Sequence, residues 1–254
     1  MFSFLLLGCA TPDASIEGQA TAKLDTAAAP LHIGVPAYFY PGRTWTTLTA
    51  SAGPVGIAIV NPASGPGTTV DVAYTRTISR ARAAGIELIG YVSTAYGARA
   101  QADVEADIDA WYTLYGVDGI FLDEVPGTDT CAAEEGLYQT YADDIRAHDA
   151  LALVALNPGT DTCATYLDFA DILMTFEDSG AAYGGYVAPA WTAAYPPDRF
   201  WHLIYNVGPA QMPAVLDAAR ANNAGWVYVT SDRLPNPWDT LPRYWTAETA
   251  LVTP

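Results

Sequence analysis

From His32 onward, short apolar runs alternate with longer stretches whose apolar residues recur at helical spacing. The runs rich in Val, Ile, Tyr and Phe predict strands at 32–39, 56–61, 87–93, 119–124, 151–157, 172–177, 200–206 and 226–231. Between them, Val104, Ile108, Trp111 and Tyr115 fall at i, i+4, i+7 and i+11, one stripe of a helix over 101–115. Asp103, Glu105, Asp107 and Asp109 mostly line its other face and read as solvated. Further helices are expected at 71–84 and 211–223, with Gly85 and Gly225 as stop signals. The fifth and sixth connections are weaker, broken by Gly and Pro. Eight strands alternating with helices predict an α/β chain folded as a single (β/α)8 TIM-type barrel. The alternative, a doubly wound open sheet, usually carries a Gly-rich phosphate turn after its first strand. The segment Val35–Pro41 is not one.

The segment ahead of His32 has a different character. Met1–Gly8 is short and apolar, and Leu6-Leu7-Gly8-Cys9 matches a lipobox, in which Cys9 would be lipidated. No Lys or Arg precedes it, and it is short for a signal peptide. Residues 10–30, rich in Ala, Thr and Asp, read as a flexible tether, leaving 31–254 as the folded domain. An exported protein at a bacterial cell surface, or secreted, is the expectation. No other stretch holds the roughly 18 unbroken apolar residues a membrane helix needs, so membrane contact is expected only through that anchor.

The 254 residues are 51% hydrophobic and 15% charged, enough for one well-buried domain. With 28 acidic against 11 basic residues the net charge is −17, a field that repels phosphate backbones and draws cationic ligands. Nucleic acid is therefore not an expected partner. Cys131 and Cys163 each follow a predicted strand end. If those strands are neighbours the two can form a disulfide in an oxidising compartment; two free buried thiols are the alternative.

The chemistry-bearing residues gather at the strand ends, which in a barrel meet at one mouth. Strand four ends in Asp123-Glu124 and strand six in Glu177-Asp178, two acidic ends that would face a common cleft, as glycosidic cleavage requires. Tyr38, Tyr40, Asn61, Tyr91, Tyr96, Asn157, Tyr205 and Asn206 stand at other ends. Aromatic faces stack on sugar rings and amides bond hydroxyls, so these are candidate substrate-binding residues. No Gly-x-Ser-x-Gly elbow occurs, and His32, His148 and His202 lack zinc-ligand spacing, so neither metal nor organic cofactor is expected.

Six motifs carry a resemblance. Val35–Pro41 (VPAYFYP), Ile59–Gly67 (IVNPASGPG), Gly90–Gly97 (GYVSTAYG), Gly116–Glu124 (GVDGIFLDE), Asn157-Pro158-Gly159 and Thr175-Phe176-Glu177 resemble, in order, the spherulation-specific spherulin-4 family. Characterised fungal members are (β/α)8 glycoside hydrolases that cut α-1,4-linked N-acetylgalactosamine within galactosaminogalactan, a biofilm exopolysaccharide. The resemblance implies such a polysaccharide partner and carries the family's acids onto Asp123, Glu124 and Glu177. It makes Asp123 the nucleophile or charge stabiliser, Glu177 the acid/base, and Glu124 a neighbour that orients substrate or tunes Asp123. A deacetylated, cationic polymer and a cell-surface polysaccharide-binding protein without turnover are the alternatives. Consecutive strand residues start toward opposite faces, so Asp123 should point to the barrel axis and Glu124 reach in from the loop.

Overall fold

A computed structural model describes residues 30–252; Cys9 and nearly all of the expected tether lie outside the described residues. Eight parallel strands close a barrel in sequence order. They are β1 (His32–Ala37), β2 (Val55–Val60), β3 (Glu87–Ser93), β4 (Gly119–Asp123), β5 (Leu153–Asn157), β6 (Ile172–Ser179), β7 (Phe200–Tyr205) and β8 (Trp226–Val229). The helices are α1 (Arg43–Thr49), α2 (Val72–Ala83), α3 (Gln101–Tyr115), α4 (Cys131–His148), α5 (Gly180–Tyr183), α6 (Met212–Ala221) and α7 (Trp245–Leu251). Pairing of β8 with β1 closes the ring and excludes the open doubly wound sheet.

The strands are apolar nearly throughout because both faces are covered, by the barrel interior and by the helix layer. Two glycines set close approaches. A Cβ on Gly34 would lie 2.2 Å from the Trp201 indole, which fills the barrel interior, and one on Gly90 would lie 2.4 Å from Trp111 of α3. The predicted stripe of α3 is buried as expected, and the helix ends where Gly116 turns left-handed at φ 57°.

Two expectations are corrected. Helix α6 stops at Ala221, and Asn223 supplies the left-handed turn (φ 60°). Gly225 serves packing instead: a Cβ there would meet the Pro197–Asp198 backbone at 2.6 Å. The fifth connection holds only a 3-10 turn at Ala164–Asp168, and the sixth only the four residues of α5 and two further 3-10 turns. The candidate disulfide is formed: Cys131 and Cys163 are bonded with Cα atoms 5.8 Å apart, tying the β4–α4 and β5–β6 loops.

Candidate active site

Strand register assembles the site. Ser93, Asp123 and Asn157 are successive partners across β3, β4 and β5, so their side chains arrive at one level of the mouth. Strand β6 joins through the Glu177 N–H, which donates to the Gly159 carbonyl at 2.9 Å. Asn157, 6% exposed, then links the two acids. Its Nδ2 donates to Asp123 Oδ1 and to Glu177 Oε2, each at 2.7 Å. Two 2.7 Å legs from one nitrogen leave those oxygens at most about 5.4 Å apart. The Asn157 Oδ1 is buried with no protein partner.

The surroundings separate the two acids. Burial, then the Asp123 charge, pushes Glu177 up to about 7, against smaller opposing contributions from Asn157 and Trp238. Burial also raises Asp123, but the Tyr91 hydroxyl, the Glu124 backbone N–H and Asn157 all favour its anion. The pair therefore suits one acid that holds a proton near neutrality and one that gives it up first. Tyr38 and Tyr91 pack edge to face, ring centroids 5.6 Å apart. Burial, ahead of the same carboxylates, keeps both hydroxyls protonated as donors.

Glu124 reaches the mouth by a backbone device. The strand stops at Asp123, and Glu124 takes φ 56°, a left-handed conformation costly for a side chain without local compensation. The turn is pinned: Tyr96 N–H donates to the Glu124 carbonyl at 2.7 Å, and the buried Thr94 hydroxyl lies 2.9 Å from the carbonyls of both Asp123 and Glu124. The Glu124 carboxylate accepts from the Ser93 hydroxyl. Both consecutive acids thereby face the mouth.

Two cavities meet at the acid pair. One, of about 490 Å³, is lined by Tyr38, Asn61, Phe121, Leu203, Asn236 and Trp238. The other, of about 370 Å³, is lined by Tyr96, Glu124, Pro158, Gly159, Tyr205 and Leu234. Asp123, Asn157 and Glu177 line both. A chain crossing from one cavity to the other would lay a linkage against the carboxylates.

Tyr38, Asn61, Tyr96, Asn157 and Tyr205 are thus brought together, with Tyr91 behind Asp123. Tyr91 lines neither cavity itself, and two further residues named from sequence stand away from both walls. Tyr40 is 64% exposed and bonds Asp71 Oδ2 at 2.9 Å, because the chain turns outward after β1. Asn206 is an exposed turn residue (φ 57°) whose N–H donates to the Asp232 carbonyl. His202 is buried between Tyr183 and Thr175, and burial holds it neutral with its pKa down at about 3. Trp238 and Asn236, in the loop after β8, were not singled out from sequence. The signal was present, since an Asn-Pro-Trp loop after the last strand must border the mouth. Among the described residues, one group of metal-ligating side chains gathers, Asp109, Asp144 and His148, on the wall between α3 and α4 and away from the mouth.

The model of the spherulation-specific family 4 matches residues 32–252. The chain belongs to that family. Spherulin-4 of Physarum polycephalum is 33% identical over 240 residues, 89% of this chain and 71% of the relative. Among solved structures, Aspergillus clavatus Sph3 in complex with GalNAc shares the fold with a TM-score of 0.75. Its sequence identity is 24%, covering 88% of this chain and 98% of that one. A chitinase from Rhizomucor miehei has a TM-score of 0.53 at 12% identity, covering 87% and 99%. The barrel fold is thus common to this protein and Sph3.

Proposed function

We propose that this protein is an endo-acting glycoside hydrolase of α-1,4-linked N-acetylgalactosamine in an exopolysaccharide. The observation that carries the reading is the Asp123–Glu177 pair, held by one amide at the junction of two cavities. A separation of about 5–5.5 Å is what a retaining mechanism uses, whereas an inverting one leaves about 6.5–9.5 Å for water. The limit of about 5.4 Å set by Asn157 supports retention. Glu177, raised to about 7, suits the acid that protonates the leaving oxygen. Asp123, whose anion three donors favour, suits the nucleophile. Glu124 lines only one of the two cavities and suits a contact to the sugar bound there.

The sugar identity draws on family membership and on the GalNAc bound to Sph3, a protein that shares this fold. One observation favours the deacetylated, cationic polymer as a second reading. Asp123, Glu124 and Glu177 make no ion pair among the described residues, in a chain of net charge −17. Export, with lipidation at Cys9, is part of the proposal, and the Cys131–Cys163 disulfide is consistent with an oxidising compartment.

The test is incubation of the purified protein with acetylated and deacetylated galactosaminogalactan, with products followed by mass spectrometry. Oligosaccharides should form with the intact protein and not with Asp123→Asn or Glu177→Gln, and the polymer consumed decides between the two readings. Tight binding without products would leave a polysaccharide-binding protein in place of a hydrolase.

A further inference from the structure

The charge of this molecule is not evenly spread. Between Pro41 and Ile86 stand four arginines, Arg43, Arg76, Arg80 and Arg82, against one carboxylate, Asp71, in a chain with 28 acids and 11 basic residues. That segment forms β2, α1 and α2, one wall of the barrel. Between α1 and α2 lies a cavity of about 570 Å³, larger than either at the mouth. Its sides include Trp45, Thr46 and Thr49 from α1, and Arg76, Thr77 and Arg80 from α2.

The arginines of this segment are not equivalent. Arg82 is committed to Asp118 at 2.9 Å. Arg76 and Arg80 make no ion pair among the described residues. Asp71 is occupied by the Ala73 N–H and the Tyr40 hydroxyl. In a protein so rich in carboxylates, two adjacent exposed guanidinium groups without one leave their donors open to an external anion. Arg76 and Arg80 are at i and i+4, so they project from one helix face with Cβ atoms about 5–6 Å apart. That is close to the spacing of neighbouring pyranose rings along a polysaccharide. Next in the chain to Pro41, which lines the groove, Tyr40 stands 64% exposed, packed edge to face on Tyr74 of α2 at 5.6 Å. It offers the aromatic platform on which a sugar face rests.

We propose that the α1–α2 groove binds a carboxylate-bearing polysaccharide, with Arg76 and Arg80 each taking a uronate-type carboxylate and Tyr40 stacking on an adjoining ring. The groove would hold the protein on an acidic matrix polymer while the mouth, of opposite charge, works on an amino sugar. Long double-stranded polyanions are disfavoured because the rest of the surface is strongly negative.

The test uses the whole protein and polygalacturonate as the probe, with neutral dextran as control, read by affinity electrophoresis and calorimetry at low salt. Polygalacturonate should bind and dextran should not. Arg76→Gln with Arg80→Gln should weaken binding about tenfold, the loss expected for two solvent-facing charge contacts. Arg76→Lys with Arg80→Lys should keep part of it, and about 0.5 M salt should abolish it. Asp123→Asn should bind polygalacturonate normally, which separates this site from the mouth whether or not the hydrolase reading holds. Arg76 and Arg80 are both exposed, so unchanged melting temperatures should accompany these results. No binding by the intact protein, or equal binding by the Gln variant, overturns the proposal. Tighter binding of duplex DNA through the same arginines overturns the choice of a glycan.

Discussion

Asn157 is the most economical place to perturb the proposed chemistry, because one side chain acts on both acids. Its amide donates at 2.7 Å to each. With those oxygens at most about 5.4 Å apart and an effective dielectric of about 20, two ionised carboxylates repel by at least roughly 3 kcal/mol. A hydrogen bond to a charged partner is worth about 1.5–3 kcal/mol. Asn157→Ala removes a donor that favours the anion of each acid. At 1.36 kcal/mol per pH unit, both carboxyls should rise by about one to two pH units. In the proposed mechanism the active form has Asp123 ionised and Glu177 protonated, so both limbs of the bell-shaped kcat/KM profile should move toward alkaline pH. On the acid limb the variant should lose about tenfold or more relative to the parent at the same pH, beyond any loss at its own optimum, since more of Asp123 is then protonated. The assay is kcat/KM on galactosaminogalactan oligosaccharides across the pH range. Carboxyl ¹³C NMR of Glu177 gives a readout independent of turnover. Unmoved limbs, or a shift toward acid, would refute the shared-donor argument.

Three further outcomes follow from the packing. Glu248 is wholly buried beneath β8, accepts from the Val229 N–H at 3.0 Å, and is pushed by burial up to about 8 from 4.5. The folded state therefore holds its proton longer. The stabilisation is full below about pH 4.5 and is lost as pH rises through about 8, by at most roughly 5 kcal/mol. Glu248→Gln should flatten that decline in urea titrations between pH 6 and 9; an equal decline in both proteins would disprove it. Replacing both Cys131 and Cys163 by Ser opens a 32-residue loop and should cost about 4 kcal/mol by chain entropy, measured as a lowered urea midpoint under non-reducing conditions. Gly34→Ala drives a methyl to 2.2 Å from Trp201 and should cost about 1–3 kcal/mol or more, with partial rescue by Trp201→Phe; a neutral Gly34→Ala would contradict the packing.

Much of the fold was legible because its signals are local. Apolar runs of strand length, the Val104–Tyr115 stripe and Gly85 after α2 each declare an element within a few residues. The fifth and sixth connections were only half legible: Gly and Pro in those stretches deny a long helix, but what forms in place of the expected weak helices is 3-10 turns and the four residues of α5. Both acidic strand ends were also visible, because a buried strand that stops on carboxylates is unusual in any one segment. The route of Glu124 was less so. Alternation on a strand sends it away from Asp123, and only the left-handed turn pinned by Thr94 and Tyr96 brings it to the mouth.

What the sequence by itself determined is the succession of elements and the chemical types at their ends, because hydrophobic period and turn chemistry depend on neighbours in the chain. Barrel closure, the register across β3, β4 and β5, and the loop after β8 are decided only in three dimensions. They made Asn157 the link between the two acids, brought Trp238 to the cavity wall, and left Tyr40 on the rim. The physical reason is that separation and protonation depend on which groups share a space and how much water is excluded from it, and both are properties of the packed barrel.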